Sequence, residues 1–339
     1  MTQFKNRVFG CVIVKSINSN YNADFSGQPR TLPNGVVYAT DKALKYAVRN
    51  YIRDMYADKN NEQQSPLKIL YFTRKNQSGN PLTLDQTYKF FFGDFPTKTI
   101  EKKPKKGKEK TEDSDDNKKE VKPESVIDKE AMLKKLLEFW DIRVFGCTYA
   151  GETNISIHGT TQPNTGINIW KENNIFSQQI KSAFADGEDA EMTTLGRQSK
   201  LQEGHYIHHF SVNPKNLDGK SEGVCLTIDD ISKLKEGLQK GVTYYDSAAK
   251  AGTDNEFLLW VKLNENSKTV LPNFSTLVKL TKDSTGKIEI DLTDFTSVFE
   301  KNKNEIESVE IYHLPESIVI MGEPTEKTSK FDLTSGTKI

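Results

Sequence analysis

The sequence predicts an α+β fold, and three observations carry that reading. Residues 8–14, VFGCVIV, form a nearly unbroken apolar run with β-branched side chains, the pattern of a central strand covered on both faces. Residues 41–56 place apolar and cationic side chains at helical spacing. Further apolar runs at 204–212, 257–263, 287–292 and 307–313 read as strands, interleaved with helical stretches at 227–240 and 294–304. With 339 residues the chain can bury a real core in one or two domains.

Lys and Arg total 47 and Asp and Glu total 47, so the net charge is zero. That balance argues against indiscriminate binding to nucleic acid, and fits a protein that concentrates positive potential in one place. No apolar run approaches the ~18 residues of a membrane helix. The start, MTQFKNRVFG, has no secretory apolar segment, so a cytoplasmic protein without a membrane partner is expected. Cys11, Cys147 and Cys225 are odd in number and widely spaced, which predicts reduced, largely buried thiols and no metal site.

After the first strand, residues 16–28 form a polar loop containing Asn18, Asn20, Asn22 and Gly27, whose residue types suit turns. Residues 28–53 hold Arg30, Lys42, Lys45, Arg49 and Arg53 against the single acid Asp41, a local charge of +4. Pro33, Asn34 and Gly35 mark a turn, and 36–39 a short extended piece. Thr40 is the expected N-cap, its hydroxyl accepting a free backbone N–H of a helix that runs from 41 to about 56. On that helix Lys42, Lys45, Arg49 and Arg53 form one stripe, with Leu44, Val48 and Tyr51 opposite. Most basic helical faces are simply solvated; a cationic row with an arginine loop beside it also suits a polyanion with repeating charges, above all a nucleic-acid backbone.

Residues 67–72, LKILYF, read as a short strand, and 84–92 as strand or helix. Residues 101–124 carry nine lysines and eight acids with almost nothing apolar, which predicts a flexible insertion over about 98–123. Residues 131–140 return to an amphipathic helix. RVFGC occurs at 7–11 and again at 143–147, which suggests two similar core strands in one sheet. Alternation at 155–158 and 167–170 around QPNTG at 162–166 predicts a hairpin. Residues 170–199 are long, polar and irregular in pattern, and such a loop needs a function to persist in a compact domain. Residues 321–339 are polar and read as a frayed tail.

Catalytic signals are weak. His158, His205, His208, His209 and His313 lack the spacing of a zinc helix, and His205 and His209 face away from His208 on a strand. Partly exposed strand histidines are the plainer reading. The chain has no Walker loop, GxGxxG or GxSxG. Asp229 and Asp230 suit a helix N-terminus; Asp113, Asp115 and Asp116 fall in the charged insertion.

PRT at 29–31, followed by a short glycine-containing turn and TDKALKYAVRNY at 40–51, resembles the backbone subunit of type I CRISPR surveillance complexes (Cascade), closest to the type I-B form. WDIRVFG at 140–146, TLGRQ at 194–198 and YYDSAAKAG at 244–252 extend the resemblance over nearly the whole chain, with Lys250 where arginine is usual and no Gly-Asp-Pro in the first loop. The resemblance implies an RNA-recognition-motif (ferredoxin)-like palm, helical fingers and an extended thumb. On that pattern the palm spans 1–58, 141–160 and 201–321, the fingers 59–140, the thumb 161–200 and a tail 322–339.

What the resemblance implies is a non-catalytic RAMP-superfamily subunit that polymerises along CRISPR RNA and presents its bases to target DNA. It binds no cofactor, and its partners are further copies of itself and other Cascade subunits. Arg30, Thr40, Lys42, Lys45, Arg49 and Arg53 grip phosphates, the first loop adds Asn18 and Asn20, and Gly196 with Arg197 lie where the thumb returns to the palm. Two alternatives are a metal-independent RNA-processing endonuclease with a histidine acid–base site and a solitary RNA-binding module with stacking aromatics on its sheet.

Overall fold

Strand β1 (Val8–Ser19) lies inside a nine-stranded sheet, and its side chains are buried on both faces. Val8, Val12 and Val14 enter one core, while Phe9, Cys11 and Ile13 enter the other. The computed structural model describes residues 2–100, 124–170, 172–185 and 193–339; the charged insertion expected at 98–123 lies almost wholly outside them. After β1 come β2 (Tyr38–Ala39), α1 (Asp41–Tyr56), α2 (Leu84–Phe92), β3 (Thr97–Ile100), β4 (Glu124–Ile127), α3 (Lys129–Leu136) and α4 (Trp140–Phe145). The middle of the chain forms β5 (Gly146–Ala150), β6 (Asn154–His158), β7 (Thr161–Pro163), β8 (Gly166–Asn168), β9 (Ile175–Ala185) and β10 (Thr193–Val212). The last part forms α5 (Ile228–Tyr244), β11 (Thr253–Leu263), β12 (Lys279–Lys282), β13 (Ile288–Asp291), α6 (Thr293–Asn302), β14 (Ile306–His313), β15 (Ile318–Met321) and β16 (Thr328–Asp332).

The sheet runs β16-β14-β11-β1-β10-β8-β2, with β7 and β9 also paired to β10. From β11 through β1 and β10 to β8, each strand is antiparallel to the next. Helices α1 and α5 pack on one face through Leu44, Val48, Leu234 and Leu238. On the other face α6 contributes Phe295 and Phe299, next to the three-stranded sheet β12-β13-β15. Each fully buried large apolar side chain stabilises by about 1.5–3 kcal/mol, so two covered faces hold β1 firmly in the sheet.

Several helices follow their local signals. Helix α1 spans the residues its periodicity predicts, with Leu44, Ala47, Val48, Tyr51 and Ile52 buried. Helix α2 settles 84–92 as helical, because Thr83 and Gln86 form a reciprocal capping box. Thr227 and Asp230 do the same for α5.

Other expectations are corrected. Residues 67–72 form no strand: the N–H groups of Leu70 and Tyr71 donate to the Asp141 carboxylate, at 2.9 and 3.1 Å, in place of a ladder. The repeated RVFGC does not make two strands of one sheet. Its first copy enters β1; its second ends α4, and Gly146 at φ 78° turns the chain into β5. Among the described residues β5 pairs only with β6, in a separate sheet. The hairpin expected around 162–166 is absent too, since β6 pairs with β5 and β8 with β10 and β2. Where residues 170–199 are described, β9 and the first part of β10 form a long antiparallel arm that continues the central sheet; 171 and 186–192 lie outside the described residues. The tail does not fray. β16 joins β14 in parallel, Phe331 stacks on Tyr312 at 4.9 Å, and Leu333 is buried.

The packing of β1 against its neighbours leaves no room at Gly10. A Cβ there would sit 2.4 Å from both the Leu259 carbonyl oxygen and the Phe210 ring. Gly196, in the arm, has nothing closer than 3.6 Å. Gly10→Ala is therefore expected to cost about 1–3 kcal/mol by overpacking, while Gly196→Ala stays within about 0.5 kcal/mol; urea unfolding of both variants reads the contrast.

Candidate nucleic-acid interface

The cationic stripe of α1 divides when the chain folds. Lys42, Lys45 and Arg49 line an open groove of about 480 Å³, completed by Tyr71, Phe145 and the β5–β6 residues Thr148, Ser156 and His158. Arg53 does not reach it. Its guanidinium lies 4.0 Å from the centre of the Phe72 ring and bonds Glu62 at 2.6 Å, and Glu62 also takes Arg74 at 2.8 Å. Arg53, expected among the phosphate-gripping residues, therefore lies off the groove, tied to Glu62.

The three groove cations differ in freedom. The Lys42 side chain is 82% exposed and touches Asp41 at 2.7 Å. Lys45 also bonds Asp41, at 3.0 Å, with its side chain only 12% exposed. Burial lowers the Lys45 pKa against the pull of Asp41. Burial works to raise Asp41, but the bonds to Lys42 and Lys45 outweigh it and its pKa falls. Arg49 donates through Nε to the fully buried Asp141 at 3.0 Å, with Tyr71 and Phe145 rings alongside. Among the described residues its two terminal nitrogens bond no protein acceptor. One edge of the guanidinium is anchored and the other faces the groove, an arrangement suited to a phosphate oxygen.

The first loop is tied to this helix. Thr40 occupies the N-cap position without a side-chain cap. Both its N–H and its hydroxyl donate to Asn22 Oδ1, at 2.9 and 3.1 Å, so the expected capping bond is replaced by a loop–helix tie. Arg30 donates to the Ala23 carbonyl at 3.0 Å and is partly exposed. Asn18 is exposed at φ 47°, where β1 ends its regular pairing. Asn20 is buried, and its amide donates to the Gly27 and Ser199 carbonyls at 3.1 Å each. The Asn20 side chain thus pins the loop to the base of the arm. Gly196 and Arg197 are exposed on β10, opposite Ile180 and Gln179.

Two participants escape the sequence reading. Asn22 has no signal beyond turn chemistry. Asp141 does have one, because a lone acid stands among Phe139, Trp140, Ile142 and Val144, and an acid in such a run is either exposed or specifically paired. Lys250 reaches back to the Tyr21 carbonyl, and burial pushes its pKa down to about 8.

The clustered histidines each bond different groups. His205 is buried, 2.6 Å from Glu256 and 3.2 Å from Glu203. His208 is buried on the other face, 2.9 Å from the Asn164 carbonyl and 3.3 Å from the Tyr21 hydroxyl. A neutral ring protonated on Nδ1 satisfies both neighbours. His209 accepts the Phe274 N–H at 3.2 Å. Among the described residues no group of three or more His, Cys, Asp or Glu could hold a metal ion. All three cysteines are free; Cys11 and Cys147 are buried, and burial raises both thiols. Among the described residues no helix is long and apolar enough to cross a membrane.

A mixed α/β sheet carries a long β-arm, and Lys42, Lys45 and Arg49 line one open groove. The family model described as CRISPR-associated protein Cas7 matches residues 6–312. The chain belongs to the CRISPR-associated protein Cas7 family. Among solved structures, a chain of a pre-nicking CRISPR RNA-guided surveillance complex is similar at TM-score 0.51 and 11% identity, over 96% of this chain and 96% of that one. A chain of a second CRISPR RNA-guided surveillance complex gives 0.45 and 11%, over 91% and 88%. At that identity the first likeness is one of fold. The curated proteins contain no match to the sequence.

Two outcomes follow from the geometry. Asp141→Ala leaves Arg49 and two backbone N–H groups without their acceptor and is expected to cost about 3–5 kcal/mol, whereas Lys42→Ala stays within about 0.5 kcal/mol; chemical denaturation measures both. Burial depresses His208 from 6.5 to about 4. The unfolded chain then binds the extra proton first, so stability is full above 6.5 and falls as pH drops from 6.5 towards 4. His208→Gln is expected to flatten that part of the stability profile, measured as denaturant midpoint against pH.

Proposed function

We propose that the chain is a non-catalytic backbone subunit of a type I surveillance complex, I-B in form, which polymerises along CRISPR RNA and leaves its bases free to pair with target DNA. The observation that carries this is charge placement: a chain of zero net charge brings Lys42, Lys45 and Arg49 onto one open groove. Phosphate contacts of this kind position a strand without reading its sequence. Arg30 and Arg197 extend the basic track to the loop and the arm. Sequence selection then belongs to guide–target pairing.

The order β11-β1-β10-β8, with α1 and α5 on one face, supports an RNA-recognition-motif-like palm. The arm of β9 and β10 supports the thumb, and the segment around α2 and α3 the fingers. Further copies of the chain and other subunits are its partners, in the cytoplasm. The second face of the sheet is covered by α6 and its neighbouring strands, which argues against a solitary module that stacks bases on an open sheet.

A second reading, the metal-independent RNA endonuclease, is favoured by one observation: His158 is exposed on the groove with Lys45 and Arg49. Metal-free single-turnover assays on repeat RNA separate the two. No cleavage is expected; cleavage that disappears in His158→Ala would establish the nuclease.

For the scaffold, combined Lys42→Ala and Lys45→Ala is expected to weaken RNA binding at least about tenfold at moderate salt. It should also flatten the salt dependence by about 0.7 for each phosphate that is no longer neutralised. The circular-dichroism melt should hold nearly constant. Anisotropy titrations across a salt series supply the numbers, and an unaltered affinity refutes the groove assignment.

A further inference from the structure

Phe25 is the most exposed large apolar side chain among the described residues, at 105% relative exposure. It sits on a built turn. Asp24 Oδ1 accepts the Ser26 N–H and hydroxyl at 2.8 Å each and the Gln28 N–H at 2.9 Å. Gly27 takes φ 79°, a conformation that glycine adopts without strain. Below the turn, Asn20 binds the Gly27 carbonyl and the Ser199 carbonyl of β10. Asn22 binds Thr40 at the start of α1. The turn is therefore fastened to both the start of α1 and the foot of the arm. The Arg30 guanidinium lies 5.9 Å from the Phe25 ring centre.

An aromatic ring held fully in water contributes nothing to the core, and ordering the turn beneath it has an entropic cost. Beside a cationic track, a ring paired with a guanidinium matches what an unpaired nucleobase needs: a π-face to stack on and a positive charge for the adjoining phosphate. We propose that the turn at residues 24–27 is a base-stacking platform, with Phe25 carrying one nucleobase of the bound single-stranded RNA and Arg30 meeting its phosphate. This rests on the RNA-binding reading above and adds a base contact to it. Stacking of this type is tolerant of sequence.

Removing one stacked base lowers affinity about 5- to 150-fold. Phe25→Ala is expected to weaken binding of a mixed-sequence oligoribonucleotide within that range, with the slope of affinity against salt unchanged. The effect should vanish on an abasic oligonucleotide of equal length. The Phe25→Trp variant should keep its affinity, and its added indole emission, taken against the wild-type background, should be quenched on binding RNA. Phe25 has no packing role, so both variants should fold. If the wild type binds RNA and Phe25→Ala binds it equally well, stacking is wrong while the groove reading stands. Emission of the Phe25→Trp variant that responds to protein concentration without RNA, and not to RNA, would instead assign the ring to a neighbouring copy and overturn the proposal. If the wild type binds no RNA, both readings fall.

Discussion

Asp141 is fully buried, and it accepts the Arg49 Nε together with the N–H groups of Leu70 and Tyr71. Three separate pieces of chain meet at that one carboxylate: α1, the irregular segment 67–72 and the first turn of α4. A buried carboxylate without partners is costly, so the three donors are held as firmly as the charge needs them. The groove on α1 follows from this. Its floor is the Arg49 side chain, and its far wall is the strand that begins where α4 ends. Without the carboxylate, the Arg49 Nε and the N–H groups of Leu70 and Tyr71 would lose their shared acceptor.

The same logic sorts the cations. Four basic residues share one stripe, yet each is governed by a particular acid. Asp41 holds Lys42 and Lys45 together at the N-terminus of α1. Asp141 fixes one edge of Arg49. Glu62 takes Arg53 away from the groove and joins it to Arg74. Side chains that look equivalent by spacing become an exposed charge, two positioned charges and an internal tie.

Loop and arm are also fixed by polar groups with internal work. Asn20 and Asn22 sit two residues apart and point to different partners, one to the arm, the other to α1. That is why Asn20, a candidate RNA contact by position, is buried, while Asn18 is exposed. The turn residues were legible as turn residues. Their division of labour was not, because nothing in the loop's own sequence says which asparagine will be covered by β10.

The chain by itself determined the elements whose signals are local. The run at 8–14 is a strand because both its faces are apolar; 41–56 is a helix because its apolar stripe repeats at the helical period; α2 and α5 start where capping residues stand. Tertiary structure decided the rest. RVFGC is a strand beneath the Phe210 ring and a helix end beside Gly146, since neighbours and not the five residues select its conformation. LKILYF gave up its ladder to a distant carboxylate, and a polar tail was ordered by a free edge of β14. Local propensities are worth tenths of a kcal/mol to about one per residue, and a buried ion pair or an open sheet edge outweighs them. Charge counts could be read from the chain; which charges stay free could only be read from the acids that the fold brings beside them.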